Sequence, residues 1–478
     1  MSNSTSSRQS SYSLNRRALL ARSAGALGGL ALADLLGGGG AVANWGGAAS
    51  ASTSSAHGRE GDERRPAGRA KAVICLFQHG GPSQMDLFDP KPELTKRHGQ
   101  KYEGELEVHF HTKQGAILAS PYKFQKCGQS GVELSELLPH TARIADDITL
   151  VRSMNTTSVD HESALRLIHG GKFQAGRPTL GSWVIYALGT ENRDLPAYVV
   201  LGDPGGLPVD GERNWSSGWL PPAYQGTQFA SGPTPILNLK TPSEVTPAGR
   251  RRQLQLLEQL NRAHLERHAA QQELAARITN FEVAARMQTA VPDVVDLRDE
   301  TEETKKMYGL DNPATAEYGT RCLLARRLVE RGVRFVQLFL NGQPWDTHDK
   351  NAEKLKGLCA KTDQPSAALV RDLKQRGLLD STIVLWTGEF GRLPISQDKD
   401  GRDHNRHAFS LWLAGGGFRA GHVHGRTDDF GYRSIEQVVT VHDLHATLLE
   451  ALGLDHQALT YPHEGRDDSL SDAEVTGA

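Results

Sequence analysis

Cysteine is scarce in this sequence, and its few copies lie far apart. There are four cysteines in 478 residues, and no two of them form a Cys-x-x-Cys pair. This spacing argues against a zinc site made of cysteines. Cys75 lies in an apolar strand-like segment and Cys322 in a helical one, so we predict that both are small buried hydrophobic side chains. An exported protein could join Cys127 to Cys359, and the sequence leaves that pairing open.

The chain also lacks an excess of charge of either sign. It carries 54 basic and 56 acidic residues, a formal net charge of -2. This balance gives no support for nucleic acid or an anionic membrane surface as a partner. Histidine, in contrast, is frequent, with 19 copies against 13 phenylalanines and 10 tyrosines. Because histidine is the commonest metal ligand and carries protons near neutral pH, histidines that cluster with acids are candidates for function.

The longest N-terminal apolar stretch, residues 18–36, is interrupted by Arg22 and Asp34 and is rich in glycine. These interruptions argue against a stable membrane span of about 20 apolar residues. The stretch follows a basic segment without acids that ends in Arg16 and Arg17, and this junction resembles the twin-arginine export motif. We therefore predict a cleavable signal rather than a membrane anchor, and hence an exported protein that is periplasmic or extracellular.

The rest of the chain divides by composition. Small residues at Ala41 and Ala43 suit a signal peptidase, which sets the predicted signal peptide at 1–43. Residues 44–70 are polar and lack an apolar period, so a disordered linker is predicted there. A single domain over 71–470 and a tail over 471–478 follow. Within that domain, the Gly/Pro-rich and then helical stretch near 202–300 is predicted to be an insertion.

Strands and helices alternate through the predicted domain, and the apolar strand segments are continuous, as in a sheet buried on both faces. This order predicts a three-layer α/β/α sandwich with a mostly parallel central sheet. Predicted strands cover 72–77, 148–151, 198–201, 333–340, 382–387 and 409–414. Predicted helices cover 318–330, 366–375 and 442–452, with one or two amphipathic helices over 252–287.

Polar side chains follow most of these strands, and in an open parallel sheet ligands bind beyond the carboxyl ends of the strands. A further cluster precedes the strand 409–414, so the sequence alone does not place it at the same edge. The residues concerned are His79 and Ser83, the segment Thr156 to His161, Asp346 and His348, Glu389 and Arg392, and the segment Arg402 to His407.

Carboxylate oxygen and imidazole nitrogen are ligands that zinc-like divalent metals prefer. Asp346 and His348 place two such ligands on one short loop, and His404 can complete the set. A second metal would need further acids, and Glu389 and Asp403 are available. Arg392 and Arg402 are in addition candidates to hold an anionic substrate through forked hydrogen bonds. The segment from His442 to His445 is either a helix cap or part of the edge of the site.

Several segments, in order along nearly the whole chain, resemble the exported family called domain of unknown function 1501, which is grouped with the sulfatases in the alkaline phosphatase superfamily. The resemblance implies an alkaline phosphatase-like fold. The segments that carry it are Gly80–Asp86 with Phe88–Pro90, Gly181–Trp183 with Gly189, Trp345–His348, Gly388–Arg392, Gly401–Asn405 and His442–Thr447.

The superfamily's first metal site takes an aspartate and a histidine after one strand and a late histidine, positions that Asp346, His348 and His404 fit. The segment from Thr157 to His161 resembles the part of nucleotide pyrophosphatases that carries a threonine nucleophile. The resemblance therefore makes Thr157 the candidate nucleophile, with Thr156, Ser158 and Ser83 as further possibilities.

This chain departs from the superfamily in three places. His79 stands where an aspartate is usual, and Glu389-Phe390 replaces a metal-binding Asp-His pair. The Cys-x-Pro-x-Arg segment of true sulfatases does not occur in the sequence. We therefore expect one divalent metal, zinc by its ligand types, rather than two, with His79, Glu389 and Asp403 as candidates for an altered second site.

The resulting expectation is an exported metal-dependent hydrolase of phosphate or sulfate esters that acts on an anionic small molecule or a glycan ester. The alternative is a catalytically silent binding or scaffold protein on the same fold at the cell surface. The altered second metal site is the main support for that alternative. Oligomeric state does not follow from the sequence.

Overall fold

The computed structural model describes residues 69–109, 114–230, 236, 245–268, 272–471 and 475–476. The predicted signal peptide lies outside these residues, as does the predicted linker up to residue 68. Within the described part, no helix combines the length and the apolar character needed to cross a membrane.

An eight-stranded sheet forms the centre of the fold, in the spatial order β8-β2-β7-β6-β1-β5-β3-β4. All neighbouring strands of this sheet run parallel except the two pairs that contain β7. The predicted α/β class with a mostly parallel central sheet is confirmed. The strands are β1 (Ala72–Phe77), β2 (Ile148–Met154), β3 (Tyr198–Leu201), β4 (Thr227–Phe229), β5 (Phe335–Leu338), β6 (Thr382–Thr387), β7 (Phe409–Ala414) and β8 (His422–His424).

Helices cover both faces of this sheet. Alternate residues of β1 enter two different cores: Ile74 packs in one and Val73 in the other. Because both faces are buried, β1 reads as a continuous apolar run instead of an alternating one. The helices are α1 (Gln84–Leu87), α2 (Pro92–Lys96), α3 (His161–Gly170), α4 (Leu180–Leu188), α5 (Pro247–Arg267), α6 (Gln272–Val295), α7 (Glu302–Met307), α8 (Ala316–Glu330), α9 (Asn351–Gln375) and α10 (Val441–Ala451).

The two helical layers are distinct. Helices α8 and α9 supply apolar side chains such as Cys322 and Leu369 to the first core. Helices α3, α4 and α10 supply side chains such as Leu165, Trp183 and Leu448 to the second. Two separate cores on opposite faces of one sheet make the three-layer sandwich that the alternating order of strands and helices predicts.

Strand β7 is antiparallel to both of its neighbours, with Trp412 opposite Trp386 of β6 and opposite Leu150 of β2. The chain therefore enters β7 at the edge where the parallel strands end. The segment from Arg402 to His407, which precedes β7, consequently lies at the same edge as the segments that follow β1, β2, β5 and β6. Strand direction thus resolves the position that the sequence left open.

Some elements differ from their predicted bounds. Helix α9 begins at Asn351, not near residue 366, and Pro365 lies inside it. Proline is a strong helix-breaking signal, which explains the late predicted start. The predicted insertion contains β4 and the two helices α5 and α6. The segment that begins at His442 is a helix cap, because Thr440 and Asp443 form a reciprocal capping box at the start of α10.

Short elements complete the fold. Paired short strands are Gly391–Arg392 with His404–Asn405, Ile395–Gln397 with Gln114–Ile117, Phe124–Cys127 with Val132–Ser135, Arg426–Thr427 with Ser434–Glu436, and Thr460–His463 with Arg466–Ser469. Short 3-10 helices cover Thr141–Asp147, Gly211–Trp215, Pro222–Tyr224 and Leu379–Ser381.

The four cysteines are all buried and free. The prediction that Cys75 and Cys322 are buried hydrophobic side chains is confirmed, and Cys127 and Cys359 are not joined to each other. Burial raises the pKa of the Cys75 thiol to about 12, so this side chain stays in its unreactive protonated form at neutral pH.

Candidate metal centre

Two glycines after β1 let the loops of the site approach one another. Gly80 has a φ of +111°, and a Cβ there would lie 2.3 Å from the backbone nitrogen of Asp346. Gly81 has a φ of +75°, and a Cβ there would lie 2.6 Å from the ring of Phe390. A side chain at either position would push these loops apart, so the glycine pair permits the close packing on which the site depends.

Asp346 stands at the centre of a cluster of imidazoles. Its Oδ1 lies 2.9 Å from Nε2 of His348 and 3.2 Å from Nε2 of His404. Its Oδ2 lies 3.5 Å from Nε2 of His161. The structure therefore brings together the three side chains that the sequence predicts as ligands of one metal, and it adds a fourth.

Two sets of three side chains in the described part of the chain could hold a metal ion. In each set one ligand atom per residue lies within 4.8 Å of the others: His161, Asp346 and His404 form the first set, and His348, Asp403 and His404 form the second. His404 belongs to both sets. Mixed imidazole and carboxylate donors suit a zinc-like divalent cation.

His161 was not among the ligands predicted from the sequence. It is the first residue of α3, which Asp160 caps by accepting a hydrogen bond from the backbone of Ser163. Nδ1 of His161 lies 2.7 Å from Oε1 of Glu389. A signal was present, since His161 ends the Thr157 to His161 segment that follows β2, but the resemblance connects that segment with a nucleophile and not with a ligand.

Glu389 contacts this cluster through His161, and its side chain is completely buried. Its Oε1 accepts a hydrogen bond from the backbone of Gly80 at 2.8 Å in addition to its contact with His161. Its Oε2 has no hydrogen-bond partner among the described residues. A buried carboxylate oxygen without a partner is costly, and a cation bound nearby would remove that cost.

The protonation states of two candidate ligands suit metal binding. Burial opposes ionisation of Asp346, but hydrogen bonds from His161, His348 and His404 hold its pKa well below the usual range. Burial lowers the pKa of His404 to about 3 against the opposing effect of Asp346. Burial also disfavours protonated His161, yet hydrogen bonds to Asp346 and Glu389 raise its pKa to about 9. Asp346 and His404 are therefore held in the ionised and neutral forms that a metal requires.

The two predicted anion-binding arginines are completely buried and donate their hydrogen bonds inside the protein. Nη2 of Arg392 lies 2.6 Å from Oδ1 of Asp346, and its Nε and Nη1 donate to the carbonyls of Gly81 and Arg402. Arg402 binds Asp86 through Nε at 2.8 Å and Nη2 at 3.2 Å. These contacts give both arginines a positioning role.

Asp86 is the shared acceptor of a second buried hydrogen-bond network, which is linked to the candidate metal centre through Thr347. Its Oδ2 accepts hydrogen bonds from Ser83 at 2.6 Å, from Asn351 at 2.9 Å and from Arg402. Asn351 in turn accepts from Thr347, the residue between Asp346 and His348. Ser83, one of the further candidates for the nucleophile, is fully buried and held in this network.

Asp403 supports His404 and the loop around it. Its Oδ1 accepts a hydrogen bond from the backbone of His404 at 2.8 Å. Its Oδ2 accepts from the backbone of His109 at 3.0 Å and from Gln114 at 3.2 Å. The ring of His109 also stacks on that of His404, with 4.8 Å between centroids.

The structure does not include His79 in either set of candidate ligands. Its side chain is completely buried, and its ring lies 4.6 Å from that of Phe77 and 5.1 Å from that of Phe339. Neither ring nitrogen has a hydrogen-bond partner among the described residues. Burial, with smaller effects of His169 and His161, lowers the pKa of His79 well below its usual value, so the ring is neutral.

Thr157 is exposed on the loop between β2 and α3. This loop touches the centre through the carbonyl of Val159, which lies 2.6 Å from Nδ1 of His404. The carbonyl of Thr157 accepts a hydrogen bond from Arg406 at 3.1 Å. Thr157 is thus on a loop that adjoins the metal centre, and its role as nucleophile stays a prediction.

Phe390 forms an apolar wall beside two of the imidazoles. Its ring centroid lies 4.5 Å from that of His404 and 4.9 Å from that of His161. A phenyl ring offers no ligand atom, and it fixes the two imidazoles by packing.

Fold and site together define an α/β protein with an aspartate–histidine cluster at the carboxyl edge of its sheet. The chain belongs to the family described as "Protein of unknown function (DUF1501)", whose model matches residues 70–477. The resemblance stated from the sequence motifs is confirmed. No curated protein matches the chain.

Solved structures share parts of the fold at low identity. The lipoteichoic acid synthase LtaP from Listeria monocytogenes is 8% identical, with 81% of this chain and 73% of that chain covered and a TM-score of 0.31. The PsFucS1 sulfatase from Pseudoalteromonas sp. is 11% identical, with coverage of 80% and 68% and a TM-score of 0.34. The phosphonate monoester hydrolase SpPMH from Silicibacter pomeroyi is 10% identical, with coverage of 80% and 73% and a TM-score of 0.32. Likeness at this level carries no inference about activity.

Proposed function

We propose that this protein is a divalent-metal-dependent hydrolase of phosphate or sulfate esters. The observation that carries the proposal is the contact of one carboxylate, Asp346, with three imidazoles at the carboxyl edge of the sheet. The substrate proposed is an anionic small molecule or a glycan ester.

The residues present fit one metal ion. Asp346, His404 and His161 would hold it, because one ligand atom of each lies within 4.8 Å of the others, and His348 contacts the same carboxylate. The unpartnered Oε2 of Glu389 supports a cation nearby. Mixed nitrogen and oxygen donors favour zinc. A metal of this kind would supply a Lewis acid that stabilises negative charge on the ester oxygens.

The chain's own residues would orient the ligands and supply the nucleophile. Glu389 holds the ring of His161 through Nδ1, and Arg392 holds the carboxylate of Asp346, as outer partners of metal ligands commonly do. We propose that Oγ1 of Thr157 attacks phosphorus or sulfur while the bond to the ester oxygen breaks. The alcohol leaves with a proton, and water then releases the anion and restores the threonine.

A second candidate function is metal-dependent binding without turnover. It is favoured by the hydrogen bonds of Arg392 and Arg402, which are made inside the protein and not towards a substrate. Tight binding of an anionic glycan without cleavage would then be the activity at the cell surface.

The test uses the purified full chain. Bound metal is measured by mass spectrometry, and hydrolysis is measured with aryl phosphate monoester, aryl phosphodiester and aryl sulfate. We expect about one metal per chain and turnover of at least one substrate, both lost in Asp346→Asn. The matched control is Asp349→Asn, an exposed carboxylate three residues away. Metal without turnover would favour the binding protein, and the absence of both would refute the proposed site.

Thr157 is tested separately from the metal. Thr157→Val keeps the size of the side chain and removes the hydroxyl, so we expect full metal content and a loss of turnover of at least 100-fold. Thr157→Ser, which keeps a hydroxyl at the same position, is the control. Turnover of Thr157→Val equal to that of Thr157→Ser would exclude Thr157 as the nucleophile.

We propose further that the protein is exported by the twin-arginine route and functions in the periplasm or outside the cell. A metal site built from distant strands forms on folding, and this route transports folded chains, so metal can be loaded before export. Replacement of Arg16 and Arg17 by lysine should leave the protein in the cytoplasm on cell fractionation. Unchanged export would refute the route.

A further inference from the structure

Helix α5 is long and rich in leucine, yet it buries almost nothing. It has five leucines in 21 residues, and none of its described side chains is buried. Leu256 is 56% exposed and Leu257 is 51% exposed. Helices in proteins owe most of their stability to packing of an apolar face against other parts of the structure. An apolar surface packed against α5 would therefore stabilise it.

A groove of about 660 Å³ runs between α5 and α6. Leu254 and Leu257 line it from α5, and Phe281, Ala284 and Ala285 line it from α6. Phe281 is 67% exposed. Small alanines allow a neighbouring helix to come close, and a two-helix hairpin with one open apolar groove has the form of half a four-helix bundle.

Charges of both signs line the groove: Arg250, Arg251 and Arg286 are basic, and Glu258 and Glu282 are acidic. Arg251 and Glu258 both line the groove, and their spacing of seven residues puts them on the same face of α5, two turns apart. An antiparallel second copy of α5, related by a two-fold axis between Leu254 and Gln255, would bring each Arg251 opposite a Glu258. A strongly acidic or strongly basic partner would instead meet like charge at one of the two positions.

We propose that the α5–α6 hairpin is a homodimerisation arm, in which two copies of this chain form a four-helix bundle through these grooves. The chain's formal net charge of -2 opposes such self-association only weakly. This surface is separate from the metal centre, so the proposal does not depend on the proposed hydrolase activity.

Charge reversal tests the proposal because a two-fold interface repeats each change twice. Light scattering after gel filtration should give twice the chain mass for the unmodified protein. Arg251→Glu alone and Glu258→Arg alone should each weaken the dimer about tenfold, and the double variant should restore it. Arg252→Glu, on an adjacent position outside the groove, should have no effect. A monomer throughout, or a double variant no better than the single ones, would overturn the proposal.

Cross-linking tests the position of the axis without relying on affinity. All four native cysteines are buried, so a single introduced cysteine is the reactive one. Gln255→Cys should form a covalent dimer on mild oxidation, whereas Gln253→Cys, which points away from the groove, should not. Circular dichroism should show the same helix content in all variants. Equal cross-linking at both positions would overturn the proposed register.

Discussion

Replacement of Asp86 by asparagine should destabilise the protein strongly, because it removes one partner of a completely buried ion pair. Both side chains of the Asp86–Arg402 pair are 0% exposed, and two contacts of 2.8 and 3.2 Å join them. The asparagine amide would also face the donors of Ser83 and Asn351. Removal of one partner of a buried pair typically costs about 3–5 kcal/mol. We expect a loss of that size in the free energy of unfolding.

Urea unfolding, followed by tryptophan fluorescence and circular dichroism, measures this loss as a lower midpoint with an unchanged slope. The control Asp349→Asn removes an exposed carboxylate and should change stability by less than about 0.5 kcal/mol. Arg402→Met should also cost about 3–5 kcal/mol, and the double variant with Asp86→Asn should cost clearly less than the sum. A loss below about 1 kcal/mol in Asp86→Asn would refute the structural role of the pair.

The pH dependence of this effect has a definite sign. Burial opposes ionisation of Asp86, but Arg402, Ser83 and Asn351 hold its pKa below the usual value. A lowered pKa contributes stability above the unfolded value near 3.9 and loses it as the pH falls further. The difference between the unmodified protein and Asp86→Asn should therefore be constant from about pH 8 to 5 and shrink below about pH 4.

Three further predictions concern other parts of the molecule. Because the pKa of His161 is raised to about 9, its protonated form stabilises the metal-free protein fully below about pH 6.5. The free energy of unfolding should then fall by on the order of 3 kcal/mol as the pH rises through 9. In urea unfolding, His161→Gln should remove this pH dependence. Gly80→Ala should cost at least 2 kcal/mol more than Gly99→Ala, because both have positive φ but only Gly80 faces the backbone of Asp346; equal costs would contradict the close approach. A thiol reagent should find no reactive cysteine in the native protein and four after unfolding, with Cys75 protected by burial; early reaction would contradict that burial.

The strands and most helices could be predicted from local sequence. Strands β1, β3, β6 and β7 begin and end where the apolar segments do, since a strand buried on both faces needs apolar residues throughout. The early part of α9 could not be predicted, because Pro365 and Gly357 interrupt its pattern. Such residues weaken local helix preference, and the packing of α9 on the sheet overrides that preference.

The candidate site was predictable in part. Asp346, His348 and His404 were recognised because aspartate and histidine followed strand-like segments or preceded one. Contacts inside the protein decided the roles of Arg392 and Arg402, which are structural partners of carboxylates in the fold. A guanidinium that binds a substrate and one that binds a buried aspartate look the same in a sequence.

The sequence by itself determined the α/β class, the family and the position of Asp346 and His348 together after one strand. These follow from apolar patterning and residue type, which are local properties. The tertiary structure alone decided that β7 runs antiparallel and so brings His404 to the edge reached by Asp346. It also decided that His161 joins the same cluster and that Glu389 contacts the ring of His161. Strand direction and the meeting of loops distant in sequence are set by packing across the whole sheet, and no local pattern encodes them.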